Sequence, residues 1–411
     1  MGIAHPTNGM FKACLHKSEV KNGEERDVSR GMITLFYFLP NFTQLFKIVN
    51  NHQLLIRLIV ISLLSAQTSL SEIEILPSEL DRDSNVLQQA LQQLGKHSLL
   101  ALKVPPSLGG AGFSESDYSL WQIAAARYSG ALAFLQTQHQ SAGSFFTASD
   151  NHTLQQEYLS SMATGEKLVG VGFSQLRRPG KPLVAAQPVE KGYLISGFVP
   201  WITGGNIFTD FIVGAVLPDG RELYGVVPLE TVQQSNKGKI TLSLPMDLIA
   251  MSATNTVSAE LDNWYLESNY VVTIKPANSI HDSSQKNVLN HGWFPLGCAY
   301  AALDIIQQTS QRKQLEFIPK IQQVLKQEID DLKQQMIAAT ISENTNYENK
   351  LKLRSQVINL ASRCTQAAVI TASGAANSLA NSAGRVYREA LVFSVSGQTT
   401  DVMEASLKLL T

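Results

Sequence analysis

The sequence lacks several features that would point to particular chemistries. It has three cysteines in 411 residues, Cys14, Cys298 and Cys364, which lie far apart and form no CxxC pair. They offer neither a disulfide framework nor a cysteine-based metal site, so a reducing compartment, and with it a cytoplasmic location, is expected. The eight histidines form no HExxH or HxxH motif. No metal site is therefore predicted.

Neither sign of charge is in excess. The chain has 33 Lys and Arg against 34 Asp and Glu, a formal net charge of −1. Proteins that bind nucleic acid usually carry a basic surface, so nucleic acid is not expected among the partners. Hydrophobic residues make up 44% of the chain and charged residues 16%. This balance is typical of a globular protein, and the length allows two or three domains.

The sequence also has little that could cross a membrane. The second of two apolar blocks near the N-terminus, LLIRLIVISLLSA at 54–66, has 13 residues and contains Arg57. A spanning helix needs about 20 apolar residues. Residues 1–66 have no clear amphipathic period, and we treat them as an unassigned N-terminal extension. We expect an over-extended start, with Met32 as one later initiation site, and a membrane-surface anchor stays open as the alternative.

Hydrophobic periodicity divides the rest of the chain into three domains. Residues 67–167 have helical patterns, residues 168–275 alternate as short strands do, and residues 276–411 are helical again. In the first domain, Gly95 is placed to end a helix that starts near Ser84. Ser114 is placed to cap another helix, with Asp117 in its first turn. The order helical, β, helical predicts an α+β fold.

The β domain and the C-terminal domain have distinct patterns of their own. Six segments with a period of two predict a β-barrel or β-sandwich, and PDGRE at 218–222 predicts a hairpin turn. Beyond them, long helices are predicted over 303–339 and 350–379, with a connector and a final helix from Asp401. Together these predict an antiparallel four-helix bundle.

Five segments, in this order along the chain, resemble the acyl-CoA dehydrogenase family. They are ALKVPPSLGGAGFSESDYSLW, YLSSMATGEKLVGVGFS, SGFVPWITGGNIFTDFIVGAV, MSATNTVSAELDNWYL and GRVYREALVFSVSGQTTDV. The resemblance implies that family's fold, with an N-terminal helical domain, a middle β domain and a C-terminal four-helix bundle. It also implies a flavin-dependent oxidoreductase that binds FAD, with FMN as the alternative. The implied substrate is an acyl-CoA or similar acyl group, oxidised at a CH–CH bond.

The resemblance further implies partners. The family completes its FAD site across subunits, so a homo-oligomer, either a dimer or a tetramer, is expected. An electron-transfer or reductase protein is a possible second partner, beside the small-molecule acyl substrate. Arg385, Arg388 and Glu389 match a conserved-looking run of the family, R-x-x-R-D-A, and are expected to form ion pairs that hold the bundle.

Residues at positions that match the family are expected to bind the flavin ring. Trp201 and Thr203 fall in its Trp-Ile-Thr motif, where the indole would border the ring and the hydroxyl would lie near N5. Val171, Phe173 and Ser174 fall on the other flavin-facing strand, where Ser174 replaces a threonine. Taken by itself, Trp201 would be interpreted as a packing residue of the β domain.

The residues expected to bind the FAD pyrophosphate match the family's sequence less well. Thr309 takes the place of the arginine in R-x-x-F-G when the segment is aligned without a gap, and Arg312, one helical turn on, is the substitute. Gly374 lies where the family has a glycine-rich loop. Arg177 and Arg178 have no family counterpart. They belong either to a solvated loop or to a contact with a phosphate or anionic substrate.

The family's catalytic glutamate is missing. Its chemistry removes an α-proton with a carboxylate while the β-hydrogen passes to the flavin as hydride, and the matching position, nine residues after Arg388, is Gly397. Asp401 and His291 are the two candidates for a displaced base. The simpler interpretations are a helix N-terminal charge for Asp401 and a packing role for His291.

Three functions therefore stay open. The first is a dehydrogenase with a displaced base, and the second is a flavin-dependent monooxygenase of the same fold. The third is a non-catalytic scaffold that binds flavin or an acyl group.

Overall fold

The computed structural model describes residues 63–73, 75–342 and 344–411. The predicted N-terminal extension lies outside these residues except for its last four positions, 63–66. Cys14 and Met32 therefore lie outside them as well. Within the part of the chain that is described, no helix is both long and apolar enough to cross a membrane.

The described residues of the N-terminal part form six α-helices: α1 Leu63–Ser71, α2 Pro77–Leu80, α3 Ser84–Lys96, α4 Glu115–Tyr128, α5 Gly130–Thr147 and α6 His152–Thr164. The predicted cap of α4 is present, because the Ser114 hydroxyl accepts from the Asp117 amide at 3.1 Å. Capping stabilises a helix start by satisfying one of its free amides.

Gly95 has a different role from the one predicted. It lies inside α3, which runs one residue further to Lys96. A Cβ atom at this position would come within 2.3 Å of the Thr164 carbonyl oxygen at the end of α6. Gly95 therefore permits close packing of two helices rather than ending the first one.

The middle part is a nine-stranded mixed sheet within the described residues. Its strands are β1 Val169–Gly172, β2 Val184–Val189, β3 Gly192–Ile202, β4 Asp210–Val216, β5 Glu222–Pro228, β6 Val232–Gln233, β7 Lys239–Leu242, β8 Val257–Glu267 and β9 Val271–Lys275. They follow the order β6-β7-β8-β3-β2-β4-β5-β9, with β1 parallel to β4. The predicted hairpin joins β4 to β5, where Val216 pairs with Glu222.

Six helices form the C-terminal part: α7 Ser279–Lys286, α8 Trp293–Lys313, α9 Phe317–Ile341, α10 Tyr347–Ala372, α11 Ser382–Val395 and α12 Thr400–Leu407. The prediction of a single long helix over 303–339 is wrong, because the helix is interrupted between α8 and α9. Gln314 adopts a left-handed conformation there, with φ 53°. The final helix begins at Thr400, one residue before the predicted start.

Helix α11 carries a buried ion pair of its own and a second, longer one to the N-terminal part. Arg385 and Glu389 on α11 pair at 2.7 Å, and both are buried. Arg388 reaches Asp81, just after α2, at 3.5 Å. Asp81 also accepts the Met251 backbone amide at 2.6 Å, before β8. Arg388 thus connects the bundle to the N-terminal part of the chain through Asp81, which is also bonded to the segment before β8, whereas the sequence predicted ion pairs that hold the bundle itself.

Candidate functional site

The first part of the site is the 3₁₀ turn Ser174–Arg177, which follows β1. Val171 lies on β1 and pairs with Ile212 of β4. The Phe173 ring packs 5.0 Å from the Phe145 ring, centre to centre. Because β1 lies against β4 and α5, the turn is held at a fixed place on the sheet.

Gln175 in this turn has an unsatisfied atom. Its side chain is 3% exposed, and its Nε2 donates to the carbonyls of Gly172 at 3.0 Å and Gly214 at 2.9 Å. Its Oε1 is buried and has no hydrogen-bond partner among the described residues. Buried polar atoms are nearly always paired, so this acceptor points to a group that the protein chain does not supply.

The end of β3 presents an indole to solvent. Trp201 is 49% exposed, which is unusual for a tryptophan in a well-ordered strand. Two residues on, Thr203 is buried, and its hydroxyl lies 3.2 Å from the Thr256 hydroxyl. A large apolar ring at the surface favours contact with a ligand or partner.

The structure separates Arg177 from Arg178. Arg177 is half-buried and its Nε donates to the Ser284 hydroxyl on α7 at 2.9 Å, whereas Arg178 is exposed. Burial lowers the pKa of Arg177. Nearby, the buried Glu222 carboxylate accepts the Tyr224 hydroxyl at 2.7 Å. Arg177 is therefore part of the packed structure and Arg178 belongs to the solvated surface.

His291 and Gly397 lie directly against each other. His291 is in the 3₁₀ turn Asn290–Gly292, just before α8, and its Nδ1 lies 3.1 Å from the Ser396 hydroxyl. Gly397 has φ +60°, and a Cβ atom on it would come within 2.5 Å of the imidazole Cδ2 and 2.7 Å of Nε2. The imidazole thus occupies the space into which a side chain at 397 would point.

A buried arginine supports this contact. Arg354 on α10 is 2% exposed and donates to the carbonyls of Val288 at 3.0 Å, Ser396 at 2.6 Å and Gly397 at 3.2 Å. Burial, with Arg177 as a second cause, lowers the pKa of Arg354 to about 10. Burial first, and then the charges of Arg354 and Arg177, lowers the pKa of His291 to about 3. The imidazole is therefore neutral at neutral pH.

Asp401 is engaged elsewhere. It lies in the first turn of α12, and its carboxylate accepts the Tyr347 hydroxyl at 2.6 Å. Burial and this carboxylate raise the pKa of Tyr347. The contact ties the start of α12 to the start of α10. Asp401 therefore has a structural partner, whereas the His291 ring lies against the matched position itself.

The expected pyrophosphate residues meet at a separate cleft of about 200 Å³. It is lined by Thr309, Arg312, Lys313, Ala372, Ala375 and Asn381. Arg312 donates to the Thr309 hydroxyl at 3.3 Å. Gly374, next to this lining, is exposed, and a Cβ atom on it would meet nothing within 4 Å. The cleft therefore places two cations beside an open backbone turn.

Comparison with known proteins decides the fold family. Residues 66–166 match the family model "Acyl-CoA dehydrogenase, N-terminal domain". The structure superposes on a glutaryl-CoA dehydrogenase from Mycobacterium smegmatis that was solved with FADH2, at TM-score 0.71 and 15% sequence identity. The superposition covers 88% of this chain and 95% of the other. The chain has the acyl-CoA dehydrogenase fold. The resemblance predicted from the sequence and the predicted fold class are both confirmed.

Two other proteins to which the chain is similar are a reductase and a protein solved with FMN. A 3-(aryl)acrylate reductase from Clostridium sporogenes is 24% identical over 253 residues, 59% of this chain and 66% of that protein. KijD3, solved with FMN and a dTDP-linked amino sugar, matches at TM-score 0.66 and 18% identity, over 84% of this chain and 91% of KijD3. The matches span between 34% and 66% of the length of the curated relatives.

Sequence reasoning missed Arg354, the residue that bonds to the segments on both sides of the His291–Gly397 contact. Arg354 was not among the predicted residues, although it interrupts an otherwise apolar stripe of α10 that includes Leu351, Ile358 and Ala361. A charged residue at a buried position of a helix is rare without a functional or structural partner, so the pattern contained a signal. Ser284 and Ser396 offered no such signal. Among the described residues, no group of three or more metal-ligating side chains is clustered.

Proposed function

We propose that the protein is a flavin-dependent oxidoreductase that acts on an acyl-CoA or a similar acyl substrate at a CH–CH group. The observation that carries the proposal is the agreement of its fold with acyl-CoA dehydrogenases over 88% of the chain. Fold by itself does not determine function. The chain's own residues must therefore fit a flavin.

The β-domain side offers what a flavin ring needs. A flavin ring carries both an N–H donor and a wide flat face. Gln175 provides a buried acceptor without a partner, and Trp201 provides a half-exposed indole. Val171, Phe173 and Ser174 border the same turn. The Thr203 hydroxyl already pairs with Thr256, so it is the least available of the proposed flavin contacts.

The cleft at Arg312 supports FAD over FMN. Arg312 and Lys313 would hold a pyrophosphate, and Gly374 would let its backbone come close to it. FMN has only one phosphate and no adenosine, so it makes less use of a second anion site. FAD is therefore the proposed cofactor and FMN the alternative.

His291 is the proposed group at the reacting carbon. A bound flavin would accept the hydride, and the chain must supply the proton acceptor. The imidazole takes the space next to Gly397, whereas Asp401 is bonded to Tyr347. Because the pKa of His291 is about 3, the free protein holds it neutral but as a weak base. A displaced base is thus consistent with this geometry but works at a disadvantage.

One observation favours a second function, a flavin-dependent monooxygenase of the same fold. Among the described residues, a Cβ atom at Gly397 would meet the imidazole of His291 and Arg354 bonds to the Gly397 carbonyl, whereas the carboxylate of Asp401 is bonded to Tyr347. A monooxygenase needs no carboxylate to remove an α-proton, and the similar KijD3 structure contains FMN. In this function a separate reductase would supply reduced flavin.

The remaining expectations follow from the same proposal. A homo-oligomer, a dimer or tetramer, would complete the FAD site, because the Arg312 cleft is separate from the His291 contact. An electron-transfer protein would reoxidise the flavin of a dehydrogenase. The proposed location is cytoplasmic.

The first test is the visible absorption of the purified full chain and identification of the flavin it releases. Trp201→Ala should weaken flavin binding about fivefold, since a stacked aromatic contributes about 1 kcal/mol. Phe198→Ala, at a side chain of similar exposure on the same strand, is the matched control and should bind flavin normally.

Titration of the oxidised protein with acyl-CoA in the absence of oxygen separates the alternatives. Bleaching of the flavin supports a dehydrogenase. Bound flavin that no acyl-CoA reduces, but whose reoxidation by oxygen transfers an oxygen atom to the acyl substrate, supports a monooxygenase, whereas uncoupled reoxidation does not. Absence of flavin binding under any condition would leave only a non-catalytic scaffold and would contradict the proposal.

A further inference from the structure

Arg354 is a buried cation with no carboxylate partner among the described residues. Its three hydrogen bonds all go to backbone carbonyls, those of Val288, Ser396 and Gly397. Its Nε is buried and has no partner among the described residues. Proteins rarely leave a buried charge uncompensated, because desolvating an ion is costly. An unpaired donor on such a charge indicates a group that is not part of the chain.

A second guanidinium is hydrogen-bonded to the same stretch of chain. Arg177 comes from the turn after β1 and bonds to Ser284 on α7, four residues before Val288. Its charge contributes to the lowered pKa values of both Arg354 and His291. Glu222, the nearest interacting carboxylate, is bound to the Tyr224 hydroxyl and the Ile280 amide instead. Hydrogen bonds thus hold Arg177 to Ser284 and Arg354 to Val288, four positions apart in the chain, and among the described residues no carboxylate is hydrogen-bonded to either guanidinium.

Gly397 explains why Arg354 meets no carboxylate from this position. A side chain at 397 would point at the imidazole of His291, beside Arg354. A glutamate there would bring a carboxylate to this cation and neutralise it. Glycine brings none, so no carboxylate from position 397 neutralises Arg354, and the Arg354 Nε keeps an unpaired N–H.

We propose that Arg177 and Arg354 form a subsite for an oxyanion, a carboxylate or phosphate group of the substrate, next to His291 and Gly397. Guanidinium groups match the paired oxygens of such anions and bind them more strongly than neutral donors do. The neutral imidazole of His291 adds either an N–H donor or an unprotonated nitrogen acceptor at the same place. The proposal rests on the proposed function in one respect only: it takes the oxyanion to be part of that enzyme's substrate.

Binding of malonate and of inorganic phosphate to the full chain tests the subsite. Both anions are titrated by calorimetry at constant ionic strength, with chloride as the reference, for protein with and without flavin. Arg177→Gln should weaken binding of the preferred anion about tenfold or more. Arg178→Gln removes a neighbouring exposed charge and is the matched control, with less than about a twofold effect.

A second variant and a local readout keep the test independent of folding problems. Arg354→Lys keeps the charge but loses the paired donors, so it should weaken binding in the same direction. In protein with ¹³C-labelled histidine, saturating anion should raise the pKa of His291 from about 3, because it neutralises two adjacent cations. His291→Gln assigns the signal.

The outcomes distinguish this proposal from the proposed function. Saturable binding of malonate but not phosphate identifies a carboxylate ligand, and the reverse identifies a phosphate. Equal affinity in Arg177→Gln and Arg178→Gln, or no saturable binding of either anion, overturns the subsite even if the protein binds flavin and oxidises acyl-CoA. Anion binding by a chain that binds no flavin supports the subsite and contradicts the proposed function.

Discussion

Gly397 and His291 have to be understood as a pair. The left-handed φ of +60° at Gly397 is strained for any residue with a Cβ atom, and the ring of His291 fills the space such an atom would need. The glycine is therefore required by the local backbone and by the packing of the imidazole. Restoring a glutamate at this position would meet both obstacles at once, so such a variant cannot report simply on acyl-CoA binding.

Gly397→Ala should destabilise the protein by about 2 kcal/mol, the sum of left-handed strain and the clash with His291. Urea denaturation measures the change. Gly374→Ala is the matched control, because a Cβ atom there meets nothing within 4 Å, and it should change stability by less than about 0.5 kcal/mol.

A double variant separates the two causes. His291→Ala removes the ring, so Gly397→Ala in that background should cost about 1 kcal/mol less. Equal costs in both backgrounds would mean that the imidazole does not press on this glycine.

The break between α8 and α9 is the clearest difference between prediction and structure at the scale of an element. The hydrophobic pattern continues from one helix into the next, so periodicity predicted a single helix over 303–339. The interruption comes from one residue, Gln314, in a conformation that no residue preference predicts for glutamine. Strands β2, β6 and β9 were not predicted either. β6 has only two residues, too short for alternation to identify, and β2 contains Pro188, a residue that argues against a strand.

Replacing Gln314 with glycine should stabilise the protein by about 0.5–1 kcal/mol, because glycine adopts φ 53° without strain. Gln311→Gly, three residues earlier within α8, should instead destabilise it by about 1 kcal/mol. Both residues are exposed, so differential scanning fluorimetry and urea denaturation compare backbone effects directly. Destabilisation by both substitutions would contradict the left-handed conformation at Gln314.

For the whole molecule, order along the chain was more informative than any single motif. The sequence predicted helical, β and helical parts and the acyl-CoA dehydrogenase fold, because five segments matched in order. The site was only partly predictable, since its contacts join residues far apart in sequence. His291 and Ser396 are 105 positions apart, and Arg354 and Val288 are 66 apart. Nothing local in the sequence indicates which distant residue completes such a contact.

The buried imidazole of His291 should make the stability of the whole protein depend on pH. Its pKa is about 3 in the folded protein, below the value near 6.5 of an unfolded chain. Below about pH 6.5 the unfolded state then binds a proton that the folded state does not, so stability falls as pH falls. The limiting slope for one such group is about 1.4 kcal/mol per pH unit.

His291→Gln should therefore lose less stability than the wild type between pH 7.5 and 5.5, by about 1 kcal/mol. Urea denaturation at several pH values measures both slopes, and the comparison cancels the opposing contribution of Glu389, whose pKa burial raises. His152→Gln is the control, because His152 is exposed on α6, and it should keep the wild-type slope. Parallel curves for wild type and His291→Gln would mean that the imidazole accepts a proton in the folded protein. Burial and the charges of Arg354 and Arg177 would then not be holding it neutral.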